Sequence, residues 1–338
     1  MKFIHLADAH LSDTFNFDRN ISAKIRKASW MSFEKALMDN RDVDFALIAG
    51  DLFERSYFSS NDFSRLFKII KNFGKDVYYV SGNHDYFDEF NSLFLKEAPD
   101  NFHIFGSKEL EMFEKNRLRV YGISYEDRVF KKKVNLNINL DDEFFNILLI
   151  HGDVDRPTSN YFNLSSMDEN IDSFDYIAMG HIHKKAKYAN IYYSGSLEPH
   201  DFSDVYDYGY LRYDDGKITF IDSSSLKFYD FKINLEDFEN EEDLIEYVNR
   251  SLRLDKDNFV RIKVLTIKNI DKKLIKRSID ASYVEVSLVE DVNLDKLVSL
   301  FPNSLLSMYA DKFLGKDDEE SLLARRIGLE AILRSRDD

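Results

Sequence analysis

Residues 3–11 read FIHLADAHL, an apolar run of strand length that leads directly into Asp8 and His10. Residues 45–53 repeat this pattern as FALIAGDLF, with Asp51 after the apolar run. Short continuous apolar runs of this kind are typical of strands buried on both faces. The two segments therefore predict a sheet with polar side chains at its carboxyl edge, where functional groups collect in open α/β sheets.

Three further strands, predicted at residues 77–80, 145–150 and 176–179, end in the same way. They lead into Gly82-Asn83-His84-Asp85, His151-Gly152-Asp153 and Gly180-His181-Ile182-His183. Between the first three strands, residues 21–38 and 63–70 carry apolar side chains at helical spacing. This alternation predicts a parallel sheet with crossover helices, and we expect all five polar loops to lie on one edge of that sheet.

The second half of the chain changes character. Short strands follow residue 188, and Asp215-Gly216 is typical of a hairpin turn. From about residue 235 the pattern predicts a helix at 241–252, a strand at 259–266, a helix at 271–279, a strand at 283–288 and tail helices at 294–300 and 319–334. We therefore expect a catalytic domain over residues 1–232 and a small α+β domain over residues 233–338.

Composition narrows the chemistry. The 338-residue chain has no cysteine, so any metal ion must bind imidazole, carboxylate or amide groups. Its formal net charge of −15 argues against nonspecific coating of nucleic acid, although residues 24–27, 128–133 and 184–187 form small basic patches that are most simply solvated surface charge. The apolar run at the N-terminus is too short for a signal peptide or a membrane span, so we expect a cytoplasmic protein.

Histidine is concentrated in the predicted loops, which hold five of the eight histidines in the chain. Taken in order, D-x-H, G-D, G-N-H-D, H and G-H-x-H resemble the motifs of the calcineurin-like metallophosphoesterases over roughly the first two hundred residues. Within that family, residues 3–11 and 50–53 are most similar to the SbcD-type DNA repair exonuclease subunits, including YhaO-like proteins. The resemblance implies a β-sandwich of partly parallel sheets flanked by helices, with a small C-terminal α+β domain placed like the capping domain of those subunits.

The resemblance also implies a ligand set for two divalent metal ions. One ion would be bound by Asp8, His10, Asp51 and His183, and the other by Asp51, Asn83, His151 and His181. Two ions roughly 3.5–4 Å apart, bridged by one carboxylate, can clamp a phosphate and activate a water. Manganese is the expected metal, and Fe, Zn, Co and Ni accept the same ligands.

Three more residues receive roles from this comparison. His84 is expected to protonate the leaving oxygen or to stabilise its charge, and Glu54 to orient His84. Glu54 stands where protein phosphatases of the superfamily have an aspartate and some DNA-processing relatives have a histidine. Arg55 is expected to contact substrate phosphate, although a structural role is equally open.

Three functions follow from these patterns. The resemblance implies a Mn-dependent DNA exonuclease or endonuclease of SbcD type acting in DNA repair, with an ABC-type ATPase subunit as partner and with homodimer formation left open. The second function is a phosphodiesterase or phosphatase acting on nucleotides or other small phosphoesters, which the acidic net charge slightly favours. The third is an adaptor subunit with a vestigial metal site, against which the complete ligand set argues.

Overall fold

The structure is a computed structural model that describes residues 1–14, 17–87, 95–136, 138–165, 170–266, 270–289, 301–316 and 318–334. The chain divides into two compact units. The first comprises Met1–Tyr229 and Arg253–Phe259, and the second comprises Asp230–Leu252 and Val260–Asp338. The predicted domain boundary at residue 232 stays a prediction.

Two sheets build the first unit. Its strands are, in chain order, β1 (Lys2–Leu6), β2 (Phe45–Ala49), β3 (Asp76–Val80), β4 (Phe102–Ile104), β5 (Glu111–Lys115), β6 (Leu118–Gly122), β7 (Phe145–Val154), β8 (Phe162–Leu164), β9 (Tyr176–Gly180), β10 (Ala186–Tyr188), β11 (Ile191–Tyr193), β12 (Gly209–Asp214) and β13 (Lys217–Asp222). The first sheet has the order β13-β12-β1-β2-β3-β4. The second has the order β10-β11-β9-β7-β6-β5, and β8 pairs with β7 outside this path.

Both sheets are largely parallel at their centres. Strands β1 to β4 pair in parallel in the first sheet, as do β6, β7, β9 and β11 in the second. The parallel arrangement is confirmed, but the expectation of one sheet edge is wrong. Since β7 and β9 belong to the second sheet, the five polar loops come from two sheets, three from the first and two from the second.

The fourth predicted strand also differs from expectation. β7 does not end before His151 but continues to Val154, because Gly152, Asp153 and Val154 pair in parallel with β8. His151 therefore projects from a strand and not from a loop. The antiparallel hairpin of β12 and β13 turns at Asp215 and Gly216, whose positive φ values of 46° and 92° fit the predicted turn.

Two helices flank the first sheet. They are α1 (Arg19–Met38) and α2 (Ser60–Phe73). The Asp18 side chain caps α1, and a capping box between Ser59 and Asp62 begins α2. Both lie where helical spacing predicts them: α1 begins two residues before the predicted range 21–38, and α2 extends the predicted range 63–70 by three residues at each end. Within the described parts of the chain, no helix is long and apolar enough to cross a bilayer.

Alternating side chains of the strands separate two cores. Phe3, Leu47 and Tyr78 point into the space between the sheets and pack with Val120 and Leu149 of the second sheet. Their chain neighbours face the other way, onto the helices, and form a cluster that includes Ile4, Ala46, Tyr79, Phe33 and Leu66. Burial on both faces explains why the strands are continuously apolar, and it fixes the two sheets as a sandwich.

The second unit is of the α+β type. Its strands are β14 (Leu226–Asn234), β15 (Asp257–Leu265) and β16 (Tyr283–Val289), which form a sheet in that order, and β14 and β15 each begin in the first unit. Its helices are α3 (Glu241–Ser251), α4 (Lys272–Ser278), α5 (Leu305–Ala310) and α6 (Glu319–Arg334). Short 3-10 turns lie at Ile171–Ser173 in the first unit and at Leu235–Asp237 and Asp311–Phe313. The helix predicted at 294–300 lies outside the described residues.

Candidate metal centre

The loops after β1 and β2 are joined by their backbones. The amide of Asp8 donates to the carbonyl of Gly50 at 3.1 Å, and the amide of His10 donates to the carbonyl of Asp51 at 3.0 Å. Parallel pairing therefore continues past the ends of the strands. It brings two predicted carboxylates and one predicted imidazole, all buried, to the same place.

Asp51 lies at the centre of the predicted ligand set. Its Oδ1 accepts a hydrogen bond of 2.8 Å from the backbone amide of His84. Its Oδ2 lies 3.2 Å from Nε2 of His151 and 3.9 Å from Nε2 of His10. One carboxylate oxygen thus faces imidazoles that come from two different sheets, as a bridging ligand must.

The ring of His151 is held from behind. Its Nδ1 donates to the carbonyl of Ala49 at 2.9 Å, which turns Nε2 toward Asp51 and toward Oδ1 of Asn83, 3.0 Å away. Burial lowers the pKa of His151, but the Asp51 carboxylate outweighs it and raises the pKa to about 9. Burial alone would raise the pKa of Asp51, but the neighbouring His151 holds that pKa well below its usual range. The position therefore favours positive charge, either a proton on the imidazole or a bound cation.

Asp8 connects the two sheets. Its two carboxylate oxygens accept hydrogen bonds of 3.0 and 3.1 Å from the backbone amide of His181, which follows β9. Ligand atoms of Asp8, Asp51 and His151 lie within 4.8 Å of one another. The ring of His181 lies 5.3 Å from that of His151 and 4.1 Å from that of Tyr161, measured between centroids. Residues from β1, β2, β7 and β9 thus meet at one point.

His10 tests whether the site suits a metal ion. Its imidazole is buried, and neither ring nitrogen has a hydrogen-bond partner among the described residues. A buried polar group without a partner is costly unless something else binds it. Burial also lowers the pKa of His10 well below its usual value despite the nearby Asp51, so the ring is neutral, the form that binds metal. The residues therefore fit a divalent cation with nitrogen and oxygen ligands.

His183 lies on the same side of the site as His10, with 5.3 Å between the ring centroids. Its Nδ1 is 2.9 Å from Oδ2 of Asp204, a contact that leaves Nε2 for other partners. Burial would lower the pKa of His183, but the hydrogen bond to Asp204 and the charge of Asp8 raise it. A carboxylate behind an imidazole is the usual way to fix a metal-binding histidine.

Glu54 and His84 form the predicted pair. Oε2 of Glu54, which is 6% exposed, lies 2.6 Å from Nδ1 of the half-buried His84. Burial lowers the pKa of His84, but the hydrogen bond to Glu54 and the charge of Asp51 outweigh it and raise the pKa to about 9. The ring of His84 is 4.7 Å from that of His10. A protonated imidazole therefore stands beside the candidate ligands, where it can donate a proton.

Arg55 is directed toward an aromatic side chain. Its guanidinium lies 4.1 Å from the ring centroid of Tyr86, and its Nη1 donates to the hydroxyl of Tyr86 at 2.5 Å. Its backbone amide donates to the carbonyl of His84 at 3.2 Å, which keeps the residue next to the candidate site. The phosphate contact predicted for Arg55 stays a prediction.

Two residues that organise the site, Asp85 and Asp204, have no role predicted from the sequence. Asp85 is fully buried and accepts hydrogen bonds from the amides of Leu52 and Gly82 and from the hydroxyl of Tyr79. It thereby ties the loop after β2 to the loop after β3. Its place after Asn83-His84 was the available signal, whereas Asp204, 21 residues after His183, has none in the sequence.

The amino-terminal part of the chain is similar to known proteins. The calcineurin-like phosphoesterase family pattern matches residues 1–185, more than half of the chain. The chain is 30% identical over 233 residues to the uncharacterized metallophosphoesterase YhaO of Bacillus subtilis (strain 168), a match covering 62% of this chain and 56% of that protein. It is 27% identical over 243 residues to the SbcD component of the SbcCD nuclease of Staphylococcus epidermidis, covering 61% and 63%. It is 29% identical over 229 residues to the DNA double-strand break repair protein Mre11 of Methanococcus maripaludis, covering 62% and 60%.

The chain belongs to the calcineurin-like phosphoesterase family, whose members are metal-dependent hydrolases that act on phosphoester bonds. The resemblance drawn from the strand-end motifs is confirmed, as is the sandwich fold that it implied. The chain spans between 56% and 63% of the length of these three relatives.

Proposed function

We propose that this protein is a two-metal phosphodiesterase that uses manganese and cleaves DNA as an exonuclease or endonuclease in DNA repair. The observation that carries the proposal is the position of Asp51, whose Oδ2 faces His151 of the second sheet and His10 of the first. The His10 ring has no hydrogen-bond partner among the residues that the structure describes. The proposed ligands are Asp8, His10, Asp51 and His183 for one ion and Asp51, Asn83, His151 and His181 for the other. Bound there, two divalent ions would supply the electrophilic clamp for a phosphate and lower the pKa of an attacking water.

The chain's own residues would then do the remaining work. Asp51 and Asp8 provide the negative charge that retains cations in a buried site. Glu54 holds the imidazolium of His84 by a hydrogen bond of 2.6 Å, so that His84 donates a proton to the oxygen that leaves phosphorus. Arg55 is proposed to contact the phosphate once its guanidinium turns from Tyr86.

Similarity to proteins named as part of a nuclease and as a double-strand break repair protein supports DNA as the substrate. By the same similarity, an ABC-type ATPase subunit is the proposed partner. The cytoplasm is the proposed location.

A small phosphoester is the second candidate substrate, and surface charge favours it. The net charge is −15, and each basic patch contains at least one lysine that pairs with a carboxylate. Lys24 pairs with Asp257 at 2.5 Å, and Lys132 pairs with Glu126 at 2.5 Å. Lysines that are already paired contribute less to binding a phosphate backbone, so a nucleotide or another small diester is the natural alternative.

A metal-swap assay tests the proposal. The purified protein is stripped with a chelator, Mn²⁺ or Mg²⁺ is added back, and cleavage of a labelled DNA duplex is measured beside cleavage of bis-p-nitrophenyl phosphate. We expect Mn²⁺ to restore cleavage of both substrates. Cleavage of the small ester alone would support the second candidate or a requirement for the partner, and cleavage of neither substrate with Mn²⁺ or Mg²⁺ would refute the proposed manganese phosphodiesterase.

A further inference from the structure

The segment after β11 is fixed against the loop that carries His183. We call residues 194–208 the post-β11 loop. The amide of Ser196 donates to the carbonyl of His183 at 3.0 Å, and the amide of Gly209 donates to the carbonyl of Ser196 at 2.9 Å. Gly195 has a φ of 77°, and a Cβ there would lie 2.7 Å from the carbonyl oxygen of His183. The two backbones thus approach as closely as a glycine allows.

A buried carboxylate holds the post-β11 loop from the other side. Glu198 is 1% exposed and accepts hydrogen bonds from the amide of Ser225 at 2.7 Å and from the amide of Leu226 at 3.0 Å. The hydroxyl groups of Ser225 and Ser32 also donate to it. A carboxylate with this many donors is rigidly placed, and it stands two residues before His200.

His200 is brought by these contacts into the group of candidate ligands. Its ring centroid lies 4.7 Å from that of His10 and 5.0 Å from that of His183. One ring nitrogen from each of the three histidines lies within 4.8 Å of the other two. The three pairs of rings meet at interplanar angles of 66°, 78° and 89°, as edge-to-face contacts.

A spacing of no more than 4.8 Å is close to the spacing of nitrogens that bind a common ion. Nitrogen ligands bind divalent transition metals at about 2.0–2.1 Å, so two of them on one ion are separated by roughly 3–4 Å. Simple core packing would not require three imidazoles, of which His10 and His200 are buried, to converge at one position, because burial of polar groups is unfavourable unless they bind a partner. His10 has no such partner among the described residues.

We infer that His200 is a further ligand of the ion that His10 and His183 bind. The inference rests on the proposed function, since it presupposes that the candidate metal centre binds metal ions. It adds an imidazole from the post-β11 loop to the seven proposed ligands. The extra nitrogen makes this position richer in imidazole than its neighbour, which favours a transition metal over Mg²⁺ there.

Metal binding, measured without turnover, tests the role of His200. The full chain is stripped with a chelator and titrated with Co²⁺ while its visible absorption is recorded, and with Mn²⁺ by calorimetry. The variants are His200→Ala and His200→Gln, and the matched control is His103→Gln, because His103 lies on β4 beside Asp76 and outside the cluster. We expect wild type and the control to bind two ions. In His200→Ala one of the two should bind at least ~10-fold more weakly, with altered Co²⁺ bands, since even loss of an outer partner of a ligand costs this much.

The outcomes separate the inference from the proposed function. If wild type binds two ions and His200→Ala binds both with unchanged affinity and spectrum, His200 is not a ligand and the proposed function stands. If wild type binds no ion, both fail. Circular dichroism of the metal-free variants reports on the fold. Should His200→Ala be unfolded, His200→Gln tests the inference instead. Glutamine keeps a polar side chain of similar length, but the Co²⁺ absorption bands should still change because the imidazole ligand is lost.

Discussion

The pair of Glu54 and His84 yields the sharpest prediction about catalysis. Glu54→Gln keeps the size of the side chain but removes the charge that holds the imidazolium at 2.6 Å. A hydrogen bond to a charged group contributes about 1.5–3 kcal/mol. Since each 1.36 kcal/mol of barrier is a factor of ten in rate, kcat should fall about 10- to 150-fold wherever the leaving oxygen needs a proton.

The choice of leaving group isolates this effect. An unactivated diester such as a dinucleotide expels an alkoxide and needs the proton, whereas bis-p-nitrophenyl phosphate expels a stable phenolate and does not. We therefore expect Glu54→Gln to be strongly impaired on the dinucleotide and little changed on the activated ester, with metal affinity unaltered. Glu114→Gln, which alters only an ion pair with Arg119 on the β5–β6 hairpin, is the control. Equal losses on both substrates would refute proton donation by His84 and point to a role of Glu54 in holding the metal site.

Three further predictions concern the proposed metal ligands and the residues next to them. Asp51→Asn should abolish Mn²⁺-dependent hydrolysis while circular dichroism shows that the metal-free protein still folds, and retained activity would exclude a bridging role. Gly82→Ala should weaken metal binding in calorimetry, because the new Cβ would lie 2.7 Å from Nε2 of His151 and overlap the Asp51 carboxylate; unchanged affinity would place the ion elsewhere. Asp204→Ala removes the partner 2.9 Å behind His183 and should lower metal affinity ~10- to 100-fold; an unchanged Kd for Mn²⁺ would mean that His183 needs no orientation.

Much of the fold can be predicted from local pattern. Apolar runs of strand length identify β1, β2 and β9 almost to the residue, because these strands are buried on both faces and are almost wholly apolar. The helices α1 and α2 follow from their periodicity. The division of the strands between two sheets cannot be predicted in this way, because both sheets are parallel and apolar at their centres and the choice depends on long-range pairing.

The sequence predicts those parts of the candidate site that lie in local motifs, and not those that depend on long-range contacts. The proposed ligands in strand-end motifs can be selected from the sequence because a glycine or a second polar residue accompanies them. His200 and Asp204 stand in the post-β11 loop, which no strand-end motif marks. They reach His183 because Gly195 and Glu198 fix that loop, one by close backbone approach and the other by buried hydrogen bonds. Contacts of this kind depend on residues distant in the chain.

Backbone strain gives an independent reason to place function at the candidate metal centre. Asp8, His10, Asp51 and His181 have φ values of 49°, 42°, 48° and 95°, a region that side chains other than glycine rarely adopt. Such conformations cost of the order of 1–3 kcal/mol each and persist only where the surroundings enforce them. Two kinds of contact enforce them: backbone hydrogen bonds between the loops, and the hydrogen bond from the amide of His181 to the carboxylate of Asp8. A chain that only needed to close a sandwich would relax these turns, so their retention at four proposed ligands argues that the direction of those side chains is what the fold maintains.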